Sequence, residues 1–402
     1  MADKKKTADQ IREERVKNIV NTVNGGEFGG ERKDALIYLG SREIIPIERF
    51  PSGHPGLDIA LGGGWPKGRF IELYGPESGG KSTLCLHAIA NHQLAFPDED
   101  VALIDTEFSF DEEYAEALKV DRRWLLVHQP DSGEQALNVT RQLVQMGVGL
   151  IIVDSVAALT TRAELEGDLG DIQVADQARL MSRSLRTLTG EAGKRRTTII
   201  WTNQLREKIG VTYGDKTTTP AGRALKHYAS IRASIVRIGS EKEGPKDAPI
   251  FVSNKVRVDV KKNKTAPPFR RADMIISFGR GIDLEAAVLD EAILQKHVVK
   301  KGSWMTLASD NNWSFQGRGK MLAAMREHPE LLTKMEDLIG AKAADVKVMA
   351  ESPEIIDVTA EEVKDDVEKS VTGIKRPSVT RTPVTKEQMG DTEGDGVDVG
   401  DA

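Results

Sequence analysis

Residues Gly75-Pro76-Glu77-Ser78-Gly79-Gly80-Lys81-Ser82 fit the spacing G-x-x-x-x-G-K-[ST], and they lie between two runs of different character. An apolar stretch, Arg69 to Tyr74, precedes them, and a helix-compatible stretch, Thr83 to Ala95, follows. Strand, glycine loop, helix is the order a phosphate-binding loop requires. Glycines let backbone N–H groups turn inward around phosphate oxygens, and the helix start adds its positive dipole end. The pattern assigns Gly75 through Thr83 to a nucleotide, with the Lys81 ammonium reaching the β and γ phosphates and the Ser82 hydroxyl on Mg2+.

Four further apolar runs, Val101 to Asp105, Leu150 to Asp154, Thr197 to Thr202 and Ser234 to Ile238, recur at helix-length intervals. Continuous apolarity over so few residues predicts strands buried on both faces, hence an α/β core with a mostly parallel central sheet flanked by helices. Polar residues close these strands: Asp105 and Glu107, Asp154 and Ser155, Asn203 and Gln204. The carboxyl edge of such a sheet is where ligands bind. Asp154 suits a partner for Mg2+, although an acid after an apolar strand also serves as a helix cap. Glu107 is the candidate general base for a water attacking the γ phosphate.

A chain of 402 residues exceeds one compact core and predicts two or three domains. No apolar run approaches the ~18 residues of a membrane span, and the charged first fifteen residues carry no secretory signal, so no membrane partner and a cytoplasmic location are expected. The one cysteine, Cys85, allows no internal disulfide. Residues 1–33 read as a helical arm on a glycine joint, suited to docking on another subunit, though a frayed terminus has the same composition. Residues 341–402 hold 15 acidic and 8 basic residues, leaving 47 and 48 before them, so the net charge of -6 lies in this tail. It reads as a disordered acidic segment.

Two regions between the strands are candidates for a phosphate backbone. Arg162 to Val174 is followed by a helical pattern with Arg179, Arg183 and Arg186 on one face. Leu205 to Arg223 holds Arg206, Lys208, Lys216 and Arg223 among Gly210, Gly214, Gly222 and several threonines. Charge alone fits a solvated helix face and an ordinary surface loop equally well.

The sequence closely resembles the bacterial RecA recombinase family. The matching residues are GPESGGKST at Gly75, IDTEFSFD at Ile104, VHQPDSGEQAL at Val127, VDSVAALTTRAELEGDLGD at Val153, TNQLREKIGVTYGD at Thr202, ALKHYASIR at Ala224 and KKNKTAPPF at Lys261. They span about Asp34 to Pro329. The resemblance implies a P-loop NTPase of RecA-like fold: an arm at 1–33, an ATPase core at 34–270, a small α+β domain for duplex DNA at 271–340 and the tail at 341–402. It further implies an ATP- and Mg2+-dependent recombinase that forms helical homo-oligomeric filaments on single-stranded DNA and exchanges strands with double-stranded DNA, in recombination, repair and the SOS response. Arg162 to Val174 resembles the family's first DNA loop, with Val174 as its apolar wedge, and Leu205 to Arg223 the second, which includes Val211 and Tyr213. Arg179 and Arg186 match basic residues near the strand. Glu107 falls on the catalytic glutamate, Asp111 and Tyr114 on adenine contacts, Asp154 on the Mg2+-associated acid and Gln204 on the γ-phosphate sensor. Lys262 and Lys264 match two lysines that reach the neighbouring subunit's ATP, and in the region that resembles the family's small duplex-capturing domain Lys300, Lys301, Arg318 and Lys320 are candidate contacts.

Several positions depart from the family pattern. Gly79 and Ser82 stand where serine and threonine are common, which keeps the chemistry. His227 replaces a phenylalanine tied to subunit communication, Val174 a methionine, and Pro220-Ala221 part of a glycine-rich loop. These changes mark a distant member, as a phage-encoded copy would be. Two other functions remain compatible with the core: a ring-forming helicase or branch-migration ATPase, and a DNA-coating filament with negligible turnover.

Overall fold

The computed structural model describes residues 7–25, 36, 38–39, 46–167, 176–207, 217–220, 222–245 and 247–340. In chain order the elements are α1 (Ala8–Gly25), β1 (Arg49–Phe50), α2 (Pro55–Leu61), β2 (Trp65–Pro66), β3 (Phe70–Gly75), α3 (Lys81–Ala95), β4 (Val101–Asp105) and α4 (Glu112–Ala117). There follow β5 (Leu125–His128), α5 (Gly133–Met146), β6 (Leu150–Asp154), α6 (Arg162–Glu166), α7 (Asp176–Arg195), β7 (Thr198–Gln204), β8 (Arg206–Glu207), β9 (Thr217–Thr218) and α8 (Ala224–Tyr228). The last are β10 (Ile231–Glu243), β11 (Ile250–Asn263), β12 (Arg271–Ser277), β13 (Gly281–Ile282), α9 (Leu284–Leu294), β14 (Val298–Lys301), β15 (Trp304–Leu307), β16 (Asp310–Gln316), α10 (Arg318–Glu327) and α11 (Pro329–Ile339).

Nine strands form one sheet in the order β13-β12-β11-β10-β3-β7-β6-β4-β5. From β10 to β5 neighbours run parallel, and from β10 to β13 they run antiparallel. Both faces are covered, as a parallel sheet needs. Ile71, Leu73 and Ile152 face one core with Leu84, Ala88 and Ile89 of α3, while Phe70, Ile151 and Trp201 face another with Met181, Leu185 and Leu188 of α7. Register places Gly75 beside Gln204 and Asp105 beside Asp154, so the polar strand ends line one edge.

The structure departs from the sequence reading at three places. The edge strand β5 is absent from it, because Leu126 and Val127 are exposed and the run is not continuously buried. The run at Ser234 is longer than expected: β10 pairs in parallel with β3 only from Ile231 to Ser234, then continues against β11. The boundary expected at 270/271 falls inside the large sheet, since β12 is hydrogen-bonded to β11. A separate core begins on α9 with Val288, Leu289 and Ala292 and closes over β14, β15, α10 and α11. The tail at 341–402 lies outside the described residues.

Candidate nucleotide site and DNA-facing elements

The phosphate loop is shaped by backbone crowding. A Cβ on Gly75 would lie 2.0 Å from the Ile235 carbonyl oxygen of β10, so only glycine fits where β3 ends. Ser78 at φ 54 and Gly80 at φ 91 turn the chain through left-handed conformations. No side chain caps α3, and such a helix start presents backbone N–H groups to an anion. Lys81 Nζ donates to the carbonyls of Gly75 at 3.2 Å and Pro76 at 2.8 Å. Burial lowers its pKa, and the nearby carboxylates of Asp154 and Glu107 oppose that shift.

Beside the loop, Ser82 Oγ donates to Asp154 Oδ2 at 2.7 Å and Thr202 Oγ1 to Oδ1 at 2.5 Å. Burial raises the Asp154 pKa, which the two hydroxyl bonds partly counter. Directly after Asp154, Ser155 Oγ donates at 2.7 Å to Oε1 of Glu107, which lies just past the end of the neighbouring β4. Thr106 fixes that serine twice: its hydroxyl donates to the Ser155 carbonyl and accepts from the Ser155 N–H, both at 2.8 Å. Gln204, at the end of β7, completes this edge.

The loop, Glu107, Asp154 and Gln204 line a cleft of about 540 Å³, with Ser155 and Thr202 behind the two carboxylates. Glu77 to Thr83, Glu107, Tyr114, Asp154 and Gln204 form one side, and Asn254, Val256, Ile276 and Phe278 form the other. Tyr114 reaches the loop helix, its hydroxyl 3.1 Å from Thr83 Oγ1. Asp111 lies outside this lining and caps α4, accepting from the Tyr114 N–H at 2.9 Å. The sequence reading missed the far wall, for which no motif exists; it placed Ser155 only as a polar strand end, and it gave neither Ser155 nor Thr202 a role as a hydroxyl partner of the two carboxylates.

The DNA candidates divide. Arg179, Arg183 and Arg186 are exposed on α7, opposite its buried Met181, Leu185 and Leu188. Arg179 Nη1 pairs with Asp176 at 3.1 Å. Arg162 begins α6, and its backbone N–H donates to Glu134 Oε2. Arg206 is exposed on β8, and Arg223 is exposed at the start of α8. Gly222, at φ 72, packs against the first turn of α7, where a Cβ would lie 3.2 Å from that of Ala178. The end of the second loop therefore meets the helix that follows the first. Val174, Lys208, Gly210, Val211 and Tyr213 lie outside the described residues.

Lys262 and Lys264 are remote from the loop of their own chain. Lys262 pairs across β11 and β10 with Arg232, which pairs with Glu72, three residues before Gly75. Lys264 is two residues farther from the loop, about 17 Å from Gly75 along the strands at ~3.3 Å per residue. Lys262 Nζ donates to the carbonyls of Lys226 at 2.8 Å and His227 at 3.1 Å at the end of α8, and the Lys264 N–H donates to the Ser230 carbonyl.

Residues 17–283 match the model of the RecA N-terminal domain. Protein RecA of Corynebacterium glutamicum is 46% identical over 333 residues, covering 82% of this chain and 86% of that one. Protein RecA of Streptomyces ambofaciens is 45% identical over 364 residues, 90% of this chain and 93% of its own. The chain belongs to the RecA family. It is a DNA recombinase and a DNA-dependent ATPase, which binds nucleotide and DNA and forms filaments as the family does. Among the described residues no helix is long and apolar enough to cross a membrane.

Proposed function

We propose that this RecA-family chain binds ATP with Mg2+ in the cleft at the end of β3, assembles head to tail on single-stranded DNA in the cytoplasm, and exchanges strands with double-stranded DNA. The observation that carries the reading is the convergence of Lys81, the Ser82–Asp154 pair and the Glu107–Ser155 pair on one cleft. Lys81 and the loop amides meet the phosphates, and Glu107 aligns and deprotonates the attacking water. Gln204 reports the γ phosphate, and Tyr114, with Asp111 behind it, borders the base.

The donor set fits Mg2+. Among the described residues no three His, Cys, Asp or Glu side chains form a metal cage. This ion instead takes one or two protein oxygens and completes its shell with phosphate and water. The adjoining oxygens of Ser82 and Asp154 supply those protein positions, and when bound the ion neutralises phosphate charge.

Single-stranded DNA is assigned to the regions 162–174 and 205–223 and to the exposed arginines of α7. Lys262 and Lys264 reach the next subunit's nucleotide, consistent with their distance from their own. Duplex capture is assigned to the body that begins on α9, through the exposed Lys300, Lys301 and Lys320. Arg318 is a weaker contact because it already pairs with Asp290. Electron microscopy with single-stranded DNA and a slowly hydrolysed ATP analogue tests the assembly. Helical filaments that exchange strands are expected; closed rings, or filaments without exchange, overturn the reading.

A further inference from the structure

One ion pair in the large sheet, Glu72 with Arg232, lies outside the lining of the nucleotide cleft. Glu72 is wholly buried on β3, between Trp201 of β7 and Arg232 of β10 in register. Its Oε2 accepts from Arg232 Nε at 2.5 Å, and its Oε1 accepts from Asn203 Nδ2 at 3.3 Å. An ionised carboxylate only accepts, so Asn203 must turn its NH2 toward Glu72 and its oxygen away. That oxygen accepts the Gln204 N–H at 3.0 Å. The carboxylate thereby fixes the amide orientation that holds the backbone of Gln204 at the cleft.

The same pair reaches the other end of the second loop. Arg232 lies 4.6 Å from the Tyr74 ring centroid and directly opposite Lys262, whose ammonium holds the last carbonyls of α8. Gln204 precedes the segment Leu205 to Arg223 and α8 follows it. Both anchors of that segment thus lean on Glu72 and Arg232.

We propose that Glu72 and Arg232 are positioning residues that couple nucleotide binding in the cleft to DNA binding by the segment Leu205–Arg223, acting through Asn203 on Gln204 at one end and through the Lys262 strand on α8 at the other. The proposal rests on the reading of Gln204 as the nucleotide-sensing residue. Without the carboxylate, Asn203 can present either face of its amide, and Gln204 loses its fixed place while the phosphate loop is untouched.

The test measures single-stranded DNA affinity of the full chain with and without a slowly hydrolysed ATP analogue, together with analogue affinity in the absence of DNA. Glu72→Gln leaves a buried cation unpaired, so the double variant Glu72→Gln/Arg232→Gln, which buries no charge, is measured alongside it. Both should hold analogue affinity within about threefold while the nucleotide-dependent tightening on DNA shrinks by about tenfold, the size of an ordinary coupling between sites. DNA-dependent hydrolysis should lose kcat with KM for ATP little changed. Arg232→Lys retains a cation beside Glu72 and should keep most of the tightening. A folded double variant with the parent's tightening overturns the proposal. So does a parallel loss of analogue affinity, which marks the pair as mere support for the sheet. If the parent itself shows no tightening, the functional reading fails and the proposal falls with it.

Discussion

Ser155 Oγ donates to Glu107 Oε1 at 2.7 Å, holding the carboxylate next to the Ser82–Asp154 pair. One oxygen of Glu107 is thereby engaged, and in the proposed mechanism the other takes the proton from water. Glu107→Gln keeps the shape and the serine bond but removes the base. Hydrolysis with saturating single-stranded DNA should fall by roughly 10²–10⁴-fold while nucleotide and DNA binding persist. Ser155→Ala leaves the base but frees its orientation, and a loss of about tenfold, about 1.4 kcal/mol, is expected. Steady-state phosphate release beside equilibrium nucleotide binding measures both. Near-normal turnover in Glu107→Gln would remove it from this role.

The difference between these two residues shows what the sequence could convey. The loop Gly75 to Ser82 was legible because its chemistry needs fixed spacing, and β4 and β6 because full burial leaves a continuous apolar run. Ser155 was visible as a polar strand end, but its bond to Glu107 spans 48 residues and depends on Asp105 pairing with Asp154 across β4 and β6. Sequence spacing carries no such register. Asn254 and Phe278 entered the cleft in the same unannounced way, from strands set by pairing with β10 and β11. Lys262 and Lys264 were legible as a pair through resemblance alone, and register then set them at the far edge from their own phosphate loop.

Acid should weaken the fold through its buried histidines. Burial lowers the pKa of His54 to about 4 and of His92 to about 3, from 6.5. Burial of His87 likewise lowers it to about 4, and its Nε2 accepts the Ile282 N–H at 2.9 Å. The unfolded chain takes up these protons near pH 6.5 and the folded chain resists, so the stability is fully present above 6.5 and is lost as pH falls toward 4. Each deeply buried histidine removes up to about 1.4 kcal/mol per pH unit in that window. Asp58, raised by burial to about 7, works in the opposite direction and offsets one of them. Thermal melts should therefore show a falling Tm between pH 6.5 and 4.5. His92→Leu should flatten that slope, since neither ring nitrogen makes a hydrogen bond and the Glu99 carboxylate approaches Nε2 only to 3.4 Å. An unchanged slope in His92→Leu would count against a neutral buried His92.

Deleting 387–402 removes Glu387, Asp391, Glu393, Asp395, Asp398 and Asp401 and no basic residue. On charge alone, such a segment can compete with a phosphate backbone for basic residues elsewhere in the chain. Binding to single-stranded DNA should tighten on deletion, most clearly below about 50 mM salt, where screening is weak. Salt titrations of the two proteins measure the effect. Equal affinity at low salt would show that the tail is no electrostatic competitor.

In the proposed filament the hydrolytic site is divided between subunits. Charge grows on the γ phosphate during transfer, and within one chain Lys81 is the loop's cation while Lys262 and Lys264 lie near the opposite edge of the sheet. In the proposed head-to-tail filament, the edge bearing Glu107 on one subunit would meet the edge bearing Lys264 on the next. Glu107→Gln and Lys264→Ala subunits should each be nearly inactive alone. Mixed equally and in random order, roughly a quarter of their interfaces should unite an intact Glu107 with an intact Lys264. DNA-dependent hydrolysis should then reappear on mixing, approaching about a quarter of the parent's rate. If co-assembly is demonstrated by cross-linking and the mixture still recovers nothing, Lys264 does not complete its neighbour's site, and the cation that meets the growing charge must come from elsewhere.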